Sequence, residues 1–144
     1  MNLSTKSKYG LRAMLNLAVN YRTGPVKVSD IAKDEGISVA YLEQLLSKLR
    51  RTGLVKSARG PNGGYVLAKS PGAISVLDVV GALDKKIYPV SCVSFGRRAS
   101  SKKCQRLNSC AAKLIWEKLA NSISETLQAA SLESLCREVK EKGS

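Results

Sequence analysis

Between Ser38 and Tyr65 the chain sets an amphipathic helix directly before a glycine-rich turn, and this junction constrains the fold more than any other feature. The Ser38 hydroxyl can cap free amides, and Gly53 tolerates the left-handed backbone common just past a helix end, so a helix is predicted between them. Leu42, Leu45, Leu46 and Leu49 recur at helical spacing and form one stripe to be buried. The opposite side carries Tyr41, Glu43, Gln44, Ser47, Lys48, Arg50 and Arg51, residue types that read base edges or hold phosphates.

Leu54 to Ser57 is predicted to leave this helix as a strand and Tyr65 to Leu67 to return. The linker Ala58 to Gly64 contains Asn62-Gly63, a pair that readily takes the positive φ angles of a tight hairpin. Upstream, Val26 to Val28 looks extended, and Ser29 to Glu35 makes a short helix ended by Gly36. Two helices so closely joined, the second longer and more basic, have the layout of a helix-turn-helix, and the hairpin adds a wing. The bland alternative is a small domain whose basic helix and glycine turn touch no nucleic acid.

Charge points the same way without choosing a partner. Lys and Arg number 24 against 11 Asp and Glu, and the net charge of +13 favours a polyanion: DNA, RNA or an acidic membrane surface. Sparse aromatics disfavour single-stranded RNA. No apolar run approaches the roughly 18 residues of a spanning helix, and the N-terminus has no signal-peptide core, so a cytoplasmic location is expected. The chain has no histidine, which excludes serine–histidine and cysteine–histidine catalysis, and no nucleotide-binding fingerprint; an enzyme is not expected.

Ser4 or Thr5 can cap a first helix whose Leu11, Met14, Leu15 and Ala18 should pack beneath the basic helix, with Lys6, Lys8 and Arg12 available to phosphate or to solvent. Ser75 and Asp78 form a capping box for a helix over 76–83. Residues 85–113 then change character, with eight lysines or arginines, no acid, and Cys92, Cys104 and Cys110. From Cys110 to Leu127 a long helix presents Ala112, Ile115, Trp116, Leu119, Ile123 and Leu127, a face wide enough for a subunit interface, packing within one subunit being the alternative. Ser131 should cap a last helix that buries Leu132, Leu135, Cys136 and Val139, with Cys136 an inert core residue. The expected fold is mostly α with a small β-hairpin: a winged helix-turn-helix over 1–84, a basic cysteine segment over 85–109, and a dimerisation helix and C-terminal helix over 110–144.

Leu3-Ser4-Thr5-Lys6 with Tyr9, Ala13 and Met14, Gly36-Ile37-Ser38 with Tyr41 to Leu45, Leu49-Arg50 with Gly53 to Val55, and Arg59-Gly60 with Gly63 to Tyr65 together carry a resemblance. The chain resembles the winged-helix regulator family that includes the iron-sulfur sensor IscR, the nitric-oxide sensor NsrR and the cysteine-metabolism regulator CymR, and in layout it is most similar to IscR. The resemblance implies a homodimer with crossed long helices, reading helices in successive major grooves of double-stranded DNA, and wings in flanking minor grooves. It places Glu43 and Gln44 at base edges and Arg59 in a minor groove, a placement that base-edge chemistry and groove potential support. With them, Ser38, Tyr41, Lys48, Arg51 and Gly60 complete the expected DNA contacts.

The same resemblance implies that Cys92, Cys104 and Cys110 hold an iron-sulfur cluster, 2Fe-2S in preference to 4Fe-4S. Eleven residues separate the first two cysteines and five the second two. The second spacing matches IscR and NsrR, and the first is longer. Lys113 stands where IscR has a histidine ligand, which leaves the fourth ligand open among Ser109, Asn108, Asp84, Glu43, a backbone atom and solvent. Zinc, a thiol switch, inert cysteines, and CymR-like control by thiol oxidation or a regulatory protein partner are the alternatives to a cluster.

Overall fold

The computed structural model describes residues 3–61, 63–84 and 111–143. Helix α1 spans Thr5–Val19, α2 Val28–Glu35 and α3 Val39–Arg51; strands β1 (Val55–Ala58) and β2 (Gly64–Leu67) follow, then α4 (Val76–Leu83), α5 (Ala112–Ala129) and α6 (Leu132–Gly143). The architecture is therefore the expected one, mostly helical with one antiparallel hairpin and a long helix after it.

The buried face of α3 is Leu42, Leu45, Leu46 and Leu49, as their spacing requires. The Ser38 side chain accepts the Tyr41 amide at 3.1 Å. Gly53 lies at φ +81°, letting the Leu54 amide reach back to the Leu49 carbonyl at 3.0 Å. This turn aims the chain from helix to wing.

In α1 the buried face is rotated from the predicted one. Met14 and Ala18 are buried, but Leu11 and Leu15 are only half-buried, and Ser7, Gly10, Ala13 and Leu17 take the centre. The reason is that α1 packs on α4 and α6 as well as on α3. A Cβ at Gly10 would lie 2.1 Å from a Leu83 methyl, so glycine there permits a close approach of α1 to α4.

Strand pairing runs from Val55 opposite Leu67 to Ala58 opposite Gly64. Val26 joins the base of this hairpin through two backbone bonds with Tyr65, at 3.0 and 2.9 Å, so the extended stretch before α2 contributes one bridge. Helix α2 begins one residue before the predicted Ser29. The positive φ angles of the wing fall at Gly60 (+111°) and Gly64 (+154°), not at Gly63; Asn62 lies outside the described residues.

The predicted capping box at α4 is present in both directions, Ser75 to Asp78 and back. Helix α6 returns to the main core, where Leu132 is fully buried in the same cluster as Met14, Leu17, Ile31 and Leu46, its amide bonded to the Ile74 carbonyl at 3.0 Å. Val139 is exposed, against expectation, because α6 has passed the edge of the core by that turn. Helix α5 rests on α4 through Ile123 and Leu127, which pack against Val76 and Val80. Towards its start the cover is lost: Leu114 is 64% exposed and Ile115 55%. Among its residues only Ala120 is buried.

Candidate nucleic-acid interface

The polar side of α3 is the centre of the candidate interface, because its opposite side is locked into the core by four leucines. Glu43, Gln44 and Arg51 are exposed there, and with Ala40, Ser47 and Lys48 they line a shallow cleft along the helix. Acceptor, amide and cation groups thus lie together on one ridge, a mixture suited to base edges and phosphates. Basic residues Lys48, Arg50 and Arg51 occupy the last turn of α3, where they also complement the negative end of the helix dipole.

Ser38 is exposed at the start of the helix with its hydroxyl engaged as the cap. Tyr41 is half-buried, and its ring meets that of Tyr9 edge-on at 6.3 Å and 88°. Arg59 and Gly60 are exposed at the wing tip. The φ of +111° at Gly60, next to Arg59, favours glycine.

The cations of α1 have partners within the chain. Arg12 forms an ion pair with Glu35, the largely buried last residue of α2, and also lies 5.8 Å from the Tyr9 ring centre. The Lys8 ammonium sits 5.4 Å over the same ring. Tyr9 therefore organises the flank of α3, a role that no spacing rule indicates, because the pairing crosses from one helix to another.

Of the predicted metal-site residues, Cys92, Cys104 and Cys110 lie outside the described residues, as do Asn108 and Ser109. Lys113 pairs with Glu117 at 3.5 Å along α5. Asp84 accepts from the Ser4 amide at 3.1 Å and from the Ser7 hydroxyl. Burial pushes the Asp84 carboxyl up, but the bonds from Ser4 and Ser7 and the charge of Lys6 outweigh it and hold the group below its ordinary range. Cys136 is half-buried against the core, and desolvation raises its thiol above the usual value, against a smaller opposing pull from Lys140, which suits an inert packing residue. No helix among the described residues is long and apolar enough to cross a membrane.

A helix-turn-helix with its reading ridge exposed, a wing beside it, and a long helix with uncovered apolar residues define the class of winged-helix DNA-binding regulators. A family model described as Rrf2, iron-dependent transcriptional regulator, matches residues 3–138. The chain is 40% identical over 135 residues to the HTH-type transcriptional regulator IscR of Enterobacter sp. (strain 638), covering 94% of this chain and 79% of that one. Among solved structures, CymR, the global cysteine regulator of B. subtilis, superposes with a TM-score of 0.80 at 36% identity, covering 96% of this chain and 98% of that one. IscR of T. potens gives a TM-score of 0.78, also at 36% identity, covering 99% and 90%. The chain belongs to the Rrf2 family: it is a dimeric, DNA-binding transcription regulator and not an enzyme.

Proposed function

We propose that this regulator binds its operator under the control of an iron-sulfur cluster, of the 2Fe-2S type, held by Cys92, Cys104 and Cys110. The observation that carries the reading is the placing of three thiols among the eight cations of residues 85–113, between the DNA-reading unit and the long helix. Thiolates are the usual ligands of such clusters, and nearby cations favour the deprotonated form. The family description, an iron-dependent transcriptional regulator, supports it. When bound, the cluster supplies a redox-active and labile centre suited to reporting iron supply, oxygen, nitric oxide or redox state.

The donor set fits three positions of four. Lys113, an ammonium paired with Glu117, is no ligand, and Asp84 already serves two donors of α1. The remaining position falls to Ser109, Asn108, Glu43, a backbone atom or solvent, or to the Asp84 oxygen that makes no bond to α1. On this reading residues 1–84 bind DNA, 85–109 sense, and 110–144 join the subunits. Glu43 and Gln44 read bases, Arg59 enters the minor groove, Lys48 and Arg51 hold the backbone, and Ser38, Tyr41 and Gly60 complete the contact surface. Rearrangement of the sensing segment shifts the spacing of the paired reading helices, and so the population that fits the operator.

Likeness to B. subtilis CymR and the lysine at position 113 favour a second reading, a clusterless regulator governed by thiol oxidation or by a regulatory protein partner. Anaerobic purification with visible absorption and with iron and sulfide analysis separates the two. Folded, colourless protein that neither retains nor accepts iron overturns the cluster reading.

A further inference from the structure

We propose that Asp84 is a positioning residue for operator binding, holding the first turn of α1 so that Tyr9 seats Tyr41 on the reading helix. The inference rests on the reading of α3 as the DNA-reading helix.

Asp84 caps the C-terminal end of α4, and one of its oxygens, Oδ2, accepts from both the Ser4 amide and the Ser7 hydroxyl. Ser4 is itself the N-cap of α1, so the carboxylate lies at the positive end of that helix dipole. Ser7 is only 3% exposed, and its hydroxyl has no ready exchange of this partner for water. Two residues beyond Ser7, Tyr9 meets Tyr41 edge-on, and one residue further Gly10 lies against Leu83. Asp84 and the Gly10–Leu83 approach therefore clamp α4 to α1 at adjacent points.

The other side of α4 carries Val76 and Val80, against which Ile123 and Leu127 of α5 rest. A continuous set of packed groups thus runs from α5 through α4 and Asp84 to α1, Tyr9 and Tyr41. A shift of the long helix has a rigid route to one residue of the DNA-reading ridge. A double-mutant cycle measures the coupling along this route.

The probe is the duplex that wild-type protein selects from a random library, compared with a random duplex at one salt concentration by fluorescence anisotropy. Asp84→Ala and Tyr9→Leu are each expected to weaken binding to the selected duplex about tenfold, within the usual range for coupled sites. Binding to random duplex should hold, and the double variant should be no weaker than the weaker single. Tyr9→Phe keeps the ring contact and should match wild type. If Asp84→Ala does not fold, Asp84→Asn and Ser7→Ala take its place in the cycle, each with a smaller loss. Multiplying losses in the double variant, or a lowered melting temperature with unchanged selected-duplex affinity, overturns the role. Wild-type protein that selects no sequence overturns the reading assignment itself, and the Asp84 role with it.

Discussion

Replacing Gly64 with alanine tests how the wing is fastened. A Cβ there would stand 2.1 Å from the Val26 carbonyl oxygen, 2.5 Å from its carbon and 2.9 Å from the Lys27 nitrogen. All three are backbone atoms, so no side-chain rotation relieves the clash, and the φ of +154° adds strain for any residue but glycine. The chain must yield at the Val26–Tyr65 bridge, which has two hydrogen bonds of 3.0 and 2.9 Å. At about 1 kcal/mol net for each bond and about 1 more for the backbone strain, the loss is about 3 kcal/mol. That is a large part of the roughly 5–15 kcal/mol that holds a small domain folded. Urea titration followed by far-ultraviolet circular dichroism reads the stability, with an unchanged m-value as the condition for comparison. The same variant should bind its selected duplex more weakly, because a displaced wing carries Arg59 with it. Gly72→Ala is the control: its Cβ meets only the flexible carboxylate end of exposed Glu133, which can swing away, so the change should stay within about 0.5 kcal/mol. Gly64→Ala protein as stable as wild type, or no less stable than Gly72→Ala protein, would refute the close fastening of wing to Val26.

Other substitutions test the division of labour. Glu43→Ala should change which duplexes are selected, whereas Lys48→Ala should weaken all duplexes alike and reduce the salt slope by about one; equal losses across a panel of sequences for both would sink the distinction between reading and anchoring. Ile115→Glu places a charge on an apolar side chain that is 55% exposed within the chain. Sedimentation should then find monomer with intact helical content and weakened operator binding, while a persisting dimer would move the interface off this part of α5.

Local rules written in the residues themselves determined the helix-turn-helix and the helix after the hairpin. The Ser38 cap, the four-leucine stripe, Gly53 after the helix and the Ser75–Asp78 box each depend on neighbours within a few positions, and each stands where its pattern puts it. The family was legible for the same reason, since its motifs lie along these local elements. The cysteine segment was legible only as composition and spacing. Tertiary packing decided what those rules leave open. The buried face of α1 turned towards Gly10, Ala13 and Leu17 because α4 and α6 share it with α3, and no periodicity within α1 states which neighbours it will have. Val139 kept the spacing of a buried residue yet lies outside the core, since burial depends on where the opposing surface ends. A positive φ settled on Gly64, where the wing must pass against the Val26 backbone. Arg12 was drawn to Glu35, Tyr9 to Tyr41, and Asp84 across the fold to Ser4 and Ser7. Such pairings join residues distant in the chain, and only the folded arrangement brings their charges, rings and hydrogen-bonding groups within reach.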